Sequence, residues 1–173
     1  MGEAIAMGCH IINDIRALTV DGAIEKLRNS QAAVCLMHMQ GDPLTMQNNP
    51  GYQDVVQEVG DFLRERVAAC IAAGISKRRI IVDPGFGFGK NLEHNLQLMR
   101  NIAAFKDLGA AVLLGISRKS MFAKALDLPI DKRLPPALAL TAYAYLQGVR
   151  IFRSHDVAAT VHALEMLRQT CEA

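Results

Sequence analysis

Apolar and polar positions alternate between a short and a long period along the chain. Five short runs rich in Ile and Val end in polar residues: His10–Ile15, Ala33–His38, Arg79–Asp83, Ala111–Ser117 and Val149–His155. Each is too short for a helix and reads as a strand buried on both faces. Between the runs the spacing becomes helical. From Asp54 to Gly74, residues Val55, Val59, Phe62, Leu63, Val67, Cys70 and Ile71 recur on one face, with Gly74 as the stop. From His94 to Gly109, Leu96, Met99, Ile102 and Ala103 share a face, again ended by Gly. Pro136–Gln147 is apolar almost all round, which predicts burial on more than one side. Asp156 is placed to N-cap a last helix carrying Val157, Val161, Leu164 and Leu167. Asp21–Asn29 reads as a shorter helix.

Five strand-helix units in succession predict an α/β chain with a parallel sheet and right-handed crossovers. Two architectures fit: an open doubly wound sheet, or part of a (β/α)8 barrel, whose typical length is about 250 residues. No linker, repeat or low-complexity tract divides the 173 residues, so residues 1–173 read as a single domain.

Composition adjusts this picture. Hydrophobic residues make up 51%. Counting the 13 glycines in place of the three tyrosines carries the share above the roughly 45–50% of ordinary globular chains. Either both strand faces are buried, or this surface needs a cover. The net charge of +2 argues against nucleic-acid binding. The longest uncharged run, Leu134 to Val149, is too short to span a membrane, and Glu3 near the start leads us to expect no signal peptide in this chain. Four scattered cysteines suggest neither a zinc site nor a disulfide framework. They read as reduced thiols of a cytoplasmic protein.

Chemistry gathers at the C-terminal ends of the strands, where both architectures place their sites. These ends carry Asn13-Asp14, Met37-His38, Asp83-Pro84, Ser117-Arg118-Lys119-Ser120 and Arg153-Ser154-His155-Asp156. Arg153 and His155 lie two apart, on one side of their strand, beside a helix N-terminus. Together they suit phosphate or pyrophosphate, against the plainer reading of a surface ion pair and a capping His. Asp83 ends an apolar strand, so its carboxylate needs donors, and the planar edge of a guanine or pterin ring offers two in parallel. The plainer reading makes Asp83 the cap of the turn Gly85-Phe86-Gly87-Phe88-Gly89. That turn permits close ligand approach and supplies an aromatic wall. Asn13 can read a heterocycle edge, and Lys119 an acidic ligand or ring carbonyl. His38 has no second ligand at metal spacing and reads as a packed residue.

The runs Ile11-Ile12-Asn13-Asp14-Ile15, Cys35-Leu36-Met37-His38-Met39-Gln40-Gly41, Asp83-Pro84-Gly85-Phe86-Gly87-Phe88-Gly89-Lys90-Asn91, Ser117-Arg118-Lys119-Ser120 and Arg153-Ser154-His155-Asp156 resemble the dihydropteroate synthase family, in its bacterial folate-pathway form. The resemblance implies a (β/α)8 barrel. It also implies a transferase that joins p-aminobenzoate to 6-hydroxymethyl-7,8-dihydropterin diphosphate, releasing pyrophosphate with the help of Mg2+. By the same resemblance, Asn13 and Asp83 hold the pterin, Met37 packs on it, and Lys119 reaches its carbonyl side. Arg153 and His155 hold the diphosphate, and Arg153 also stacks on the ring. Phe88, Ser120 and Arg118 belong to the aminobenzoate pocket, which sulfonamides enter by mimicry. Lys119 and Asp83 are the catalytic candidates.

The family's first three strand-helix units have no counterpart here, so the expected architecture is a partial (β/α)8 barrel of about five units. The family's principal magnesium contact belongs to those units, and no metal ligand is expected within this chain. The strand edges at His10–Ile15 and Val149–His155 and the barrel interior are expected to be bared. The chain alone is then expected to be unstable or inactive unless covered. Pro135-Pro136 stands where small residues are expected and predicts a shifted helix start. The apolar helix over residues 137–146 suits a homodimer interface of the full-length enzyme. Two other readings remain. One is a non-catalytic half-barrel needing a complementing chain. The other is a pterin-binding methyltransferase relative, which the SRKS run and the anion site argue against.

Overall fold

The computed structural model describes residues 1–42, 46 and 50–171. Five parallel strands form one sheet in chain order: β1 (Ile11–Asp14), β2 (Ala33–Met37), β3 (Ile80–Asp83), β4 (Ala111–Leu114) and β5 (Ile151–Phe152). Among the described residues seven α-helices accompany them: α1 (Gly2–Ala6), α2 (Ala23–Arg28), α3 (Val55–Ala72), α4 (Leu92–Arg100), α5 (Met121–Leu126), α6 (Leu134–Leu146) and α7 (Val157–Cys171). Sequential order with parallel pairing is the connectivity of a (β/α)8 barrel, and the sheet curls as half of one.

The register separates two faces. Asn13 pairs with Cys35, Cys35 with Ile81, Met37 with Asp83, and Leu113 with Ile151. These residues share the concave face, where Cys35, Ile81, Leu113 and Ile151 form their own small apolar cluster. The alternate positions Ile12, Val34, Leu36, Ile80, Val82, Val112 and Leu114 face the helices and join the main core. The expected baring of the interior is found at the edges, most at β1, while both residues of β5 are partly buried. Cys35, Ile81 and Leu113 remain buried, whereas Ile11 is 48% exposed.

Helix α3 follows its sequence pattern. The Asp54 carboxylate accepts the Val56 and Gln57 N–H groups, each at 3.0 Å, and caps the start. At its end Gly74 takes φ +92°, and the Gly74 and Ile75 N–H groups donate to Ile71 O and Cys70 O. Ile71, expected on the apolar face, is instead largely exposed.

Other elements depart from expectation. The helix expected over His94–Gly109 is α4 followed by a short 3-10 turn, Ile102–Phe105. It starts earlier because Asn91 and His94 cap each other: the Asn91 side chain accepts the His94 N–H, and the His94 ring accepts the Asn91 N–H. It breaks at Asn101, whose side-chain amide donates to Gln97 O. Gly109 is not a helix stop. A Cβ there would lie 2.6 Å from Ile80 O, so glycine is needed where the chain comes alongside β3. Helix α6 begins at Leu134, with its prolines in the first turn, where an N–H has no partner to lose. It buries only the stripe Ala137, Thr141 and Ala144; Tyr143 and Leu146 face outward. Asp156 precedes α7 as expected, but its carboxylate takes the Arg118 guanidinium, at 3.0 and 3.3 Å.

Candidate active site

The concave register brings residues from distant parts of the chain to the C-terminal rim of the sheet. Asp83 ends β3 with 1% of its surface exposed. Its Oδ1 accepts the Gly85 N–H at 2.8 Å, and its Oδ2 accepts Arg153 Nη2 at 3.0 Å. Arg153 Nη1 donates to Asn13 Oδ1 at 2.6 Å. One guanidinium thus spans β1 and β3 from just beyond β5. It rests on Gly115, where a Cβ would overlap it. Burial pushes the Asp83 carboxyl above its ordinary range; Arg153, the Gly85 N–H and Lys119 oppose that rise. Burial chiefly, with Asp83 and against Arg153, pushes the Cys35 thiol up to about 12.

The loop after β3 supplies the second wall. Gly85 has φ +73°, and a Cβ on it would overlap the His38 carbonyl oxygen, so only glycine lets the loop close over β2. Lys119 Nζ lies 4.0 Å over the Phe88 ring. Arg118, with φ +59°, turns the chain so that Lys119 faces inward while Arg118 faces Asp156. Burial lowers the Lys119 pKa, a shift Asp83 opposes and Arg153 aids. His155 Nδ1 lies 3.0 Å from Ser117 Oγ, which also accepts the His155 N–H at 3.2 Å. A cavity of about 410 Å³ opens among Asn13, Phe88, Ser117, Lys119, Arg153 and His155. That volume lies in the range of small-molecule sites.

Residues 1–155 match the family model for the pterin binding enzyme. The chain belongs to this family. It is 46% identical to dihydropteroate synthase of Escherichia coli (strain K12) over 171 residues, covering 99% of this chain and 61% of the relative. The fold superposes on a Yersinia pestis dihydropteroate synthase crystal structure with a sulfonamide drug complex, at TM-score 0.94 and 41% identity, covering 99% of this chain and 62% of that one. It also superposes on the Xanthomonas albilineans dihydropteroate synthase in complex with 7,8-dihydropteroate, at TM-score 0.90 and 39% identity, covering 98% and 64%. The chain spans about three fifths of the length of these relatives.

Within this pterin binding enzyme fold the residues singled out from sequence fall into two groups. Asn13, Asp83, Phe88, Lys119, Arg153 and His155 converge on one rim. Met37 is buried beneath it, against Gly85. Ser120 is exposed at the start of α5, and Arg118 is tied to Asp156 while its carbonyl accepts from Arg133. Asp14, at the same strand end as Asn13, is a turn residue whose carboxylate accepts the Leu18 and Arg16 N–H groups.

Sequence reasoning assigns no role to Lys90, which is only 2% exposed. Its Nζ donates to His38 Nδ1, Gly85 O and Phe88 O, each at 3.0 Å, and so closes the loop that carries Phe88. Burial, reinforced by Lys119 and opposed by Asp83, lowers Lys90 to about 7. Burial and Lys90 lower His38 to about 3, so its ring is neutral and able to accept. The lysine closing the Gly-Phe run is the signal that could have found it. Gly115 also escapes a sequence reading as a site residue, and Ser117, though read at a strand end, is given no role of its own, since neither type announces a neighbour from a distant strand.

The donor set does not fit Mg2+ by itself. Among the described residues no group of three or more His, Cys, Asp or Glu is placed to hold a metal ion. Arg153, His155 and Ser117 line the cavity and bring no carboxylate to it, whereas Mg2+ takes carboxylate, phosphate and water oxygens. Among the described residues no helix is long and apolar enough to cross a membrane.

Proposed function

We propose that residues 1–173 form a single pterin-binding domain of a dihydropteroate synthase. The reaction joins 6-hydroxymethyl-7,8-dihydropterin diphosphate to p-aminobenzoate. The bond from the pterin methylene carbon to the diphosphate oxygen breaks. The bond from that carbon to the arylamine nitrogen forms, and the nitrogen loses a proton. The observation that carries this reading is one cavity lined by Asn13, Lys119, Arg153 and His155, with the buried Asp83 carboxylate just behind it, held by Arg153.

In this reading Asp83 and Asn13 accept and donate along the amino-amide edge of the pterin. Met37 supports the ring from below. Arg153 and His155 receive the diphosphate and stabilise the charge that develops on it as it leaves. Lys119, held over Phe88, lies between the pterin carbonyl side and the aminobenzoate. Phe88 gives that second substrate an aromatic wall, and Ser120 and Arg118 flank its entry. The chain acts mainly by positioning the two reactants. Mg2+ is the expected cofactor of the whole enzyme, held by groups other than those described. The expected setting is the cytoplasm. The expected assembly is a homodimer through the outward apolar faces of α6 and α7, where Tyr143, Leu146, Val157, Val161 and Met166 are exposed.

A second reading is favoured by one observation: among the described residues β1 and β5 each pair with one strand, and Ile11 on the β1 edge is half exposed. It makes the chain a pterin-binding half-barrel that turns over only with a complementing chain. Pyrophosphate release by the purified chain, with pterin diphosphate, p-aminobenzoate and Mg2+ each omitted in turn, separates the two. Release that requires all three establishes the synthase reading for the chain by itself. Binding of the pterin diphosphate without release assigns the half-barrel reading. A folded chain that does not bind the pterin diphosphate overturns both.

A further inference from the structure

Arg153 occupies the Asn13–Asp83 edge to which the pterin reading above assigns the heterocycle. Its two Nη atoms donate to Asn13 Oδ1 and Asp83 Oδ2, at 2.6 and 3.0 Å. A guanidinium is a planar fork of parallel N–H groups, and the amino-amide edge of a pterin offers a similar fork. The two compete for one carboxylate. Asp83 cannot follow a displaced partner: it is buried at a strand end and held by the Gly85 N–H. Arg153 can leave, because its side chain is 42% exposed. Its seat is shaped for it, since Gly115 lacks the Cβ that would overlap the guanidinium. His155, Ser117 and Lys119 line the same cavity and offer an anion further partners there.

We propose that Arg153 determines the specificity of the site by occupying the Asn13–Asp83 edge until the anionic group of an incoming pterin diphosphate draws it away. This rests on the pterin reading above. In the latched state the guanidinium gives the buried Asp83 carboxylate a cation. A bare pterin must displace that cation with nothing to receive it, so its apparent affinity is reduced by the small unlatched fraction. A pterin that carries a diphosphate, or a bare pterin accompanied by inorganic pyrophosphate, supplies the receiving anion. Heterocycle and anion are then coupled through a single side chain, and the coupling is reciprocal. The site thereby favours the activated pterin over its unactivated precursor, although Asn13 and Asp83 contact only the ring that the two share.

The test is a fluorescence titration of the full chain with 6-hydroxymethylpterin, with and without saturating inorganic pyrophosphate. In the wild-type chain pyrophosphate is expected to tighten pterin binding by about tenfold or more. In Arg153→Ala the bare pterin is expected to bind at least about threefold tighter than in wild type, and pyrophosphate to leave that affinity unchanged. Equal enhancement in both chains, or weaker bare-pterin binding by the variant, overturns the proposal. A second measurement needs no pterin and leaves Arg153 in place. In carboxyl 13C NMR of wild-type chain with labelled aspartate, pyrophosphate alone is expected to move the Asp83 signal, identified by its loss in Asp83→Asn. An Asp83 signal that stays still at saturating pyrophosphate overturns the latch. If no form binds pterin while pyrophosphate still moves Asp83, the latch stands and the pterin reading falls.

Discussion

The two faces of the same five strands are built to opposite rules. Toward the helices, Ile12, Val34, Leu36, Ile80, Val82, Val112 and Leu114 form an apolar layer that joins the main core. On the concave side a short apolar floor of Cys35, Ile81 and Leu113 gives way, at the C-terminal rim, to Asn13, Asp83 and Arg153. The convex face stabilises by burying hydrocarbon. The rim holds a buried carboxylate that costs stability and keeps it satisfied with a guanidinium and a backbone N–H. Alternation along each strand lets one segment serve both purposes, because neighbouring side chains never share a face.

Separability of the two faces can be broken by substitution, beginning with the rim. In the proposed site Asp83→Asn removes the charge assigned to the amino-amide edge, and the Kd for pterin diphosphate is expected to rise by about a hundredfold in calorimetric titration. Burial raises the Asp83 pKa above its unfolded value, so its charge opposes folding at neutral pH. The same variant is therefore expected to match or exceed wild type in urea unfolding. A large loss of stability would show that rim and core are not separable.

The converse substitution is Leu63→Ala, in the fully buried stripe of α3. It is expected to cost about 2–5 kcal/mol in urea unfolding, and to leave pterin affinity in the folded chain within about twofold. A parallel loss of affinity would mean that core packing sets the rim geometry directly.

His38 joins the two faces, because it is packed against Phe62 of α3 and accepts from Lys90 of the site loop. Its pKa falls from 6.5 unfolded to about 3 folded. The unfolded chain therefore binds more protons between these values, and stability is expected to fall as pH drops from about 6.5 toward 3. His38→Gln, which retains an acceptor for Lys90, is expected to flatten that part of the urea-midpoint profile. An unchanged profile would place the titration elsewhere. The smallest effect is expected at Arg118→Ala. Its ion pair with Asp156 is solvent-exposed, so the unfolding curve should be indistinguishable from wild type.

Much of this architecture is legible in the order of the residues alone. The five runs ending at Ile15, His38, Asp83, Ser117 and His155 overlap the five strands, because a doubly buried strand needs an apolar run whatever its surroundings. Asp54 and Gly74 mark the ends of α3 for equally local reasons. The helix expected up to Gly109 stops short because the Asn101 side chain takes the Gln97 carbonyl, and because Gly109 answers to the neighbouring strand β3 rather than to a helix end. Composition predicts α6 to be buried on more than one side, yet whether an apolar face is covered depends on what packs against it.

By itself, then, the sequence determined the five strands, their order, the main helices in outline and the gathering of polar residues at strand ends, since each follows from spacing within a few residues. Only the tertiary structure decided that Arg153 meets Asn13 and Asp83 together, across 140 and 70 residues of chain. It also decided that Lys90 closes the loop bearing Phe88 onto His38, and that Gly115 is bare because an arginine lies on it. No local pattern encodes those pairings. They arise when parallel register brings separate strand ends within hydrogen-bond reach, and when burial obliges each polar group there to find a partner.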